Sequence, residues 1–483
     1  MFEDLREFIA NLIANGLIAQ VFAIAGFILA LFLVARLMSE KRAPANTFAW
    51  LLIILLVPWV GVPLYLLLGG RKLRRLAERK SRLRPTLPGH TAHPRTVAHS
   101  PTIHALVAAG ATPPVAGNTL RLITSGEEAY AALEEHIRAA QSHIHITAFI
   151  LGRDDTGRRL VKLLAERARA GVKVRVLLDA VGSMFTCGLF ANPIRQAGGK
   201  VGVFMPVLPF TSRGSANLRN HRKIAVFDHC TAMVGGHNLA REYMGPLRLA
   251  KRWQDFGAVI HGPAAALLNE VFLADWCFAT RESPDALHAE IPIDCATQVH
   301  GSSELQVVAS GPDVPGDALY EGIVSMIQEA QRSILIVTPY FIPDDVLLRS
   351  LIVKARSGKE VTLITPRSSN HPVADFARRH YIREMQRAGA NVQLYSHGML
   401  HSKAMVVDDH IAMFGSPNFD LRSLFVNFEI GILVHSPPDV MAIRAWAMAL
   451  AQYCHPPKIE RPRKFRIVGN LIEDLSRLLA PLL

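Results

Sequence analysis

The chain has 483 residues, 50% hydrophobic and only 19% charged, with a mean hydropathy of +0.21, which excludes a disordered chain and a small disulfide-stapled module. Its net charge of +13 points to an anionic partner, nucleic acid or a lipid surface, and the location of the charge decides between them. Five cysteines, Cys187, Cys230, Cys277, Cys295 and Cys454, are an odd number without metal-type or C-x-x-C spacing and read as reduced thiols.

Two apolar runs open the chain. Residues 17–37 carry only Gln20 and, near the end, Arg36; residues 48–68 carry no charge and contain Pro58, Gly61 and Pro63. Twenty residues at about 1.5 Å each span a bilayer core of about 30 Å, so residues 1–70 read as a transmembrane hairpin with a kinked second span. Residues 71–84 then hold eight Lys or Arg against Glu78 alone, over half of the net charge. Beside a membrane span such a run grips anionic lipid, disfavours nucleic acid as the main partner, and puts the C-terminal bulk in the cytoplasm. Residues 85–118, rich in Pro, Ala, Thr and Gly, read as a linker, so that 71–118 joins the hairpin to the rest. The histidines within it have no Cys or carboxylate beside them, which argues against a metal site.

Beyond Thr119 the chain repeats itself. Residues 142–150 read as a buried strand, 157–171 as an amphipathic helix and 172–179 as a second strand; residues 332–342, 344–358 and 359–366 repeat the pattern. Strand, helix, strand at this spacing predicts βαβ units and a largely parallel sheet. Two homologous α/β sandwich domains, 119–300 and 301–457, follow as the expected organisation, forming one pseudo-symmetric catalytic unit.

Each half carries one chemistry-bearing motif. The first is His221, Lys223 and Asp228 within HRKIAVFD, followed by GGHN ending at Asn238; the second is His401, Lys403 and Asp408 within HSKAMVVD, followed by GSPN ending at Asn418. In an extended chain His and Lys at i and i+2 point to one face. A phosphodiester displacement needs a nucleophile, an acid for the leaving oxygen, and donors on the non-bridging oxygens. Two histidines starting in opposite protonation states supply the first pair, with phosphohistidine as the covalent form; lysine and asparagine supply the rest. No carboxylate cluster of metal-ligand spacing lies near either motif, so neither a metal nor any other cofactor is expected, the lysines taking the part of Mg²⁺.

These paired H-x-K-x4-D motifs resemble the phospholipase D superfamily. Residues 42–70, NLRNHRKIAVFD (217–228), TPYFIPDD (338–345), GSPNFDLRS (415–423) and NFE (427–429) are similar to the bacterial cardiolipin synthases, and the resemblance covers nearly the whole chain. It implies transfer of a phosphatidyl group from one phosphatidylglycerol to another, giving cardiolipin and glycerol, at the bacterial inner membrane. It also implies His221 as nucleophile and His401 as acid and base, which spacing alone does not distinguish. Lys223, Lys403, Asn238 and Asn418 match the phosphate-binding positions. Asp228 and Asp408 close the catalytic motifs, where a structural or lysine-orienting part suits them better than direct chemistry. Asp255 and Glu429 match acids that hydrogen-bond the imidazoles.

The chain departs from relatives at Thr147, Ala148 and Phe149, where Glu-Tyr is common, and at Gly257, where many carry histidine; both departures bear on the lipid or acceptor pocket. The implied partners are phosphatidylglycerol and anionic membrane lipids, with a homo-oligomer among the states allowed. Rival readings are a hydrolase making phosphatidic acid, a transferase with another acceptor alcohol, a nuclease, and an idle membrane scaffold. Residues 458–483 form a basic and then amphipathic tail, suited equally to a lipid surface or to docking on the core.

Overall fold

The computed structural model describes residues 100–206, 217–288, 299–314 and 316–457, together with 20, 24, 26–29, 31–32, 51–57 and 59–62 of the N-terminal region. Residues 51–56 and 59–62 are helical, and among the described residues no helix is long and apolar enough to cross a membrane. The remainder of the two apolar runs, the basic segment, most of the linker, Cys295 and the C-terminal tail lie outside the described residues.

From Ser100 to Pro457 the described residues, apart from Asn217, belong to one compact unit. The first half supplies β1 (Val115–Ile123), β2 (His143–Ala148), β3 (Lys173–Asp179), β4 (Lys200–Phe204), β5 (Ile224–Phe227), β6 (Thr231–Gly235) and β7 (Gly257–His261). The second supplies β8 (Ser303–Ser310), β9 (Ser333–Val337), β10 (Phe341–Ile342), β11 (Glu360–Pro366), β12 (Asn391–Tyr395), β13 (Ala404–Val407), β14 (Ile411–Gly415), β15 (Phe419–Asp420), β16 (Glu429–Val434) and β17 (Cys454–His455). Fifteen of these form a single sheet whose order is a palindrome apart from the extra edge strand β17. It runs β4-β3-β2-β5-β6-β7-β1 through the first half, then β8-β16-β14-β13-β9-β11-β12-β17 through the second. An antiparallel β1–β8 pair is the seam.

The largely parallel sheet expected from the βαβ pattern is corrected to a mixed one. Only β2–β3, β3–β4, β9–β11 and β11–β12 are parallel within it. Helical crossovers permit parallel pairing there; β5–β6 and β13–β14 are joined by three-residue turns, which connect only antiparallel neighbours. The crossover helix Asp155–Arg169 buries Leu160, Leu163 and Leu164 on one face, at about 1.5–3 kcal/mol for each leucine. It starts where the Asp154 carboxylate accepts the Gly157 N–H at 2.9 Å, a cap worth about 1 kcal/mol.

An apolar cluster crosses the seam, with Val226, Phe256 and Leu268 of one half packed with Leu335, Phe414 and Ile432 of the other. The helix Pro263–Thr280 is buried nearly all round, which suits its apolar composition. The linker reading is corrected at its end: Pro101–Ala108 is a helix with Ile103 and Leu106 buried. Thr102 donates from its N–H and its hydroxyl to Glu329, each at 2.9 Å, so this turn is held to the second half rather than hung free. The cysteine reading is corrected at Cys230, which is disulfide-bonded; Cys187, Cys277 and Cys454 are free thiols.

Candidate active site

The motif histidines lie just before β5 and β13, in extended segments held across the halves. A parallel bridge pairs Asn220 with Phe428, and another pairs Gln254 with Leu400. The next residue on each strand is a histidine facing an acid: His221 beside Glu429, and Asp255 beside His401. The backbone bonds match, His221 N donating to Phe428 O at 2.9 Å and His401 N to Gln254 O at 2.7 Å. Each half thus supplies the acid that orients the other half's histidine.

His221 Nδ1 lies 2.9 and 3.0 Å from the two Glu429 oxygens; His401 Nδ1 lies 2.6 Å from Asp255 Oδ2. A carboxylate only accepts, so Nδ1 carries the proton in both rings and Nε2 is the reactive nitrogen. Both acids are fully buried. The Ser416 hydroxyl donates to Glu429. At the corresponding position Gly236 packs so tightly against Asp255 that a Cβ would stand 2.0 Å from Oδ1.

The lysines are buried and differ in their contacts. Lys223 Nζ donates to His221 O at 2.7 Å and lies 5.7 Å from the Phe149 ring centroid. Lys403 Nζ donates to His401 O and lies against the ring, 2.8 Å from Nδ1 and 3.0 Å from Nε2. Asn238 and Asn418 follow the β6 and β14 ends, where Gly235 faces Gly257 and Gly415 faces Gly431. These glycine pairs let the strands approach closely: a Cβ on Gly415 would meet Ile430 O at 2.1 Å. Asn238 Oδ1 accepts from Ile150 N at 3.2 Å, and Asn418 Oδ1 has no partner.

Asp228 and Asp408 sit at the opposite ends of their strands. Seven residues of extended chain at about 3.3 Å each put them on the order of 20 Å from the histidines. Asp228 accepts from the N–H groups of Gln141, Ser142 and His143 at 2.7–2.9 Å; Asp408 accepts from those of Gln331, Arg332 and Ser333 at 2.7–2.9 Å. Both are turn clamps at positive φ, which corrects their place in the catalytic set. The carboxylates acting most on the lysines are Glu429 and Asp255.

The histidines and asparagines open on one cavity of about 400 Å³. Arg219, Arg422, Tyr243 and Tyr340 also line it, and sequence reasoning had not singled them out, although Arg219 and Arg422 stand inside the quoted NLRNHRK and GSPNFDLRS segments. Phe149 lines it too, its ring T-shaped against His221 at 5.2 Å. Gly257 is not among the lining residues, so of the two departures only Phe149 borders the cavity.

Burial pushes His221 down to about 4, against the pull of Glu429 and with the Lys223 charge adding to it. Burial and then the Lys403 charge push His401 to about 3. These surroundings favour the neutral form of both imidazoles. Burial lowers Lys403 to about 8 and Lys223 well below 10.5. Burial alone would raise Asp255, but the His401 and Lys403 charges hold it below the ordinary carboxylate range. Among the described residues no His, Cys, Asp and Glu group is arranged to hold a metal ion.

A histidine and an asparagine from each half, opening on one cavity with a buried lysine beside each histidine, define an enzyme of the phospholipase D class. A family model described as "Cardiolipin synthase, PLD-like domain" matches residues 133–276 and 323–450; one described as "Phospholipase_D-nuclease N-terminal" matches 26–70. A cardiolipin synthase of Geobacillus thermodenitrificans is 34% identical over 463 residues, covering 92% of this chain and 90% of the relative. The major cardiolipin synthase of Bacillus subtilis is 31% identical over 490 residues, covering 97% and 99%. The crystal structure of phosphatidylserine synthase from Haemophilus influenzae shares the fold, with a TM-score of 0.61 at 17% identity over 79% of this chain and 100% of that one. The chain belongs to the cardiolipin synthase family and is a phosphatidyltransferase.

Proposed function

We propose that the chain transfers a phosphatidyl group from one phosphatidylglycerol to another, yielding cardiolipin and glycerol through a phosphohistidine on His221. The observation that carries this reading is the crossed pair of His–acid dyads, each leaving its Nε2 for the cavity. His221 Nε2 attacks phosphorus, the P–O bond to the headgroup glycerol breaks, and the departing oxygen takes a proton from His401. The hydroxyl of a second phosphatidylglycerol then gives its proton to His401 and attacks phosphorus, and the P–N bond electrons return to His221. Lys223, Lys403, Asn238 and Asn418 hold the non-bridging oxygens.

Substrate binding creates the opposite protonation states. Lys403 Nζ lies against the His401 ring; a phosphodiester anion draws that ammonium to itself and removes the charge that depresses His401, while Asp255 supports the imidazolium. The two domains take in residues 119–300 and 301–457, anchored through a membrane hairpin at spans 17–37 and 48–68 with the cavity on the cytoplasmic side. A hydrolase is the second reading, since water reaching the same intermediate yields phosphatidic acid.

The test adds purified protein to phosphatidylglycerol bilayers without divalent metal and quantifies cardiolipin, glycerol and phosphatidic acid. Cardiolipin and glycerol in equal amounts are expected. Phosphatidic acid without cardiolipin would make water the acceptor, and loss of turnover with a chelator would contradict the metal-free mechanism.

A further inference from the structure

The cavity departs from the symmetry of the repeat in its cations. Arg219 comes from the first half and Arg422 from the second, and both line the cavity with His221 and His401. Their charges act on each other, and both act with Asp179 at the end of β3. Arg219 donates to Asp179 Oδ1 at 3.3 Å and to Met205 O at 2.9 Å. The offset of 180 residues that relates His221 to His401 and Asn238 to Asn418 sets Met399 opposite Arg219 and Glu242 opposite Arg422. The two guanidinium groups that line the cavity therefore have no cationic counterparts at the equivalent places of the repeat.

The reacting phosphodiester is already matched by one lysine and one asparagine from each half. A lipid acceptor brings a second phosphodiester with its own negative charge into the same cavity; water or a simple alcohol brings none. A planar guanidinium fork is the side chain best suited to phosphate oxygens. We propose that Arg219 and Arg422 form a second anion subsite that holds the phosphodiester of the lipid acceptor while its hydroxyl is presented to phosphorus. The assignment rests on phosphatidylglycerol as acceptor. It explains how one catalytic constellation selects a charged lipid over smaller neutral nucleophiles.

The test supplies two acceptors at once. Phosphatidylglycerol vesicles containing ethanol are incubated with the full chain, and cardiolipin and phosphatidylethanol are measured together. Arg422→Gln is expected to lower the ratio of cardiolipin to phosphatidylethanol about tenfold, the worth of a charge-assisted contact, with part of the ratio restored in Arg422→Lys. An unchanged ratio, with both products falling together, would overturn the subsite, because a merely structural arginine affects both acceptors alike. Should Arg422→Gln not fold, Arg219→Lys keeps the charge without the fork, and the same fall or constancy of the ratio decides. Millimolar inorganic phosphate is expected to leave the wild-type ratio unaltered; a fall matching that of Arg422→Gln would overturn the lipid assignment in favour of free phosphate. Wild-type protein making phosphatidylethanol but no cardiolipin would instead overturn the acceptor reading itself.

Discussion

The two halves share a frame and differ in what is hung on it. Both present a histidine before the fifth strand of the repeat, an asparagine after the sixth and an acid beside the seventh. Yet the residue between His and Lys is Arg222 in one and Ser402 in the other. Arg222 is buried, donating to Glu429 O at 3.0 Å, to Asp275 at 2.7 Å and to Ser310 O at 2.9 Å, while the Ser402 hydroxyl donates to Gln254 O at 3.1 Å. Each lysine donates to its own histidine's carbonyl, and Lys403 also lies against the imidazole; Glu429 has the Ser416 hydroxyl and Asp255 the bare backbone of Gly236. Repetition builds the cavity with two equivalent histidines, and substitution at equivalent positions gives the two different surroundings.

That comparison can be broken at its strongest points first. His221→Ala and His401→Ala are each predicted to cut phosphatidyl transfer by about 10³-fold or more, measured as cardiolipin formed. Survival of full activity in the first variant would remove His221 as nucleophile. Glu429→Gln and Asp255→Asn are predicted to cost on the order of 10²–10⁴-fold through lost orientation and charge. Both should slow formation of the covalent intermediate, and the second should also slow attack by the acceptor hydroxyl that His401 deprotonates; single-turnover kinetics separates the two steps.

The exchange at Gly236 and Ser416 sharpens the comparison. Gly236→Ser places a Cβ 2.0 Å from Asp255 Oδ1 and should abolish most activity, whereas Ser416→Gly loses one hydrogen bond to Glu429, about tenfold in kcat; equal effects would contradict the packing asymmetry. Lys403, lowered to about 8, loses its charge as pH rises past that value. kcat/KM should then fall above about pH 8, and a profile flat to pH 10 would show that this charge is not needed.

The smallest effect belongs to the turn clamps. Asp228→Asn and Asp408→Asn should lower stability by about 1–2 kcal/mol each in thermal denaturation while kcat is retained; a chemical defect at full stability would return them to the catalytic set. Backbone N–H donors outweigh burial and lower both carboxyl groups. Their stabilisation is therefore present above the ordinary 3.8 and lost as pH falls below it.

The elements nearest the chemistry were legible in the sequence because local pattern dictates them. Alternation places His221 with Lys223 and His401 with Lys403, and a matching offset identifies Asn238 and Asn418. The amphipathic stretch 157–171 becomes the helix Asp155–Arg169, and 172–179 becomes β3. What lay beyond reach depends on long-range pairing. Nothing in the spacing says that Asp255 serves His401 and Glu429 serves His221, since that exchange is set by two bridges between segments 146 and 208 residues apart. The order of the sheet is hidden for the same reason: the βαβ signal reports two strands per half and is silent about how the later hairpins pair. Arg219 and Arg422 were readable as residues but not as neighbours. For Asp228 and Asp408 the motif left a structural and a lysine-orienting part open, since a motif written on one line joins residues that the strand holds apart.

If His221 alone is the nucleophile of this pseudo-symmetric site, it alone carries the phosphatidyl group. Mixing His401→Ala with phosphatidylglycerol, quenching, and locating that group by peptide mass spectrometry, with His221→Ala alongside, tests this. The adduct on His221 in the first variant and none in the second is the predicted result. An adduct on His401 in the His221→Ala protein would contradict it and assign the attack to the other half.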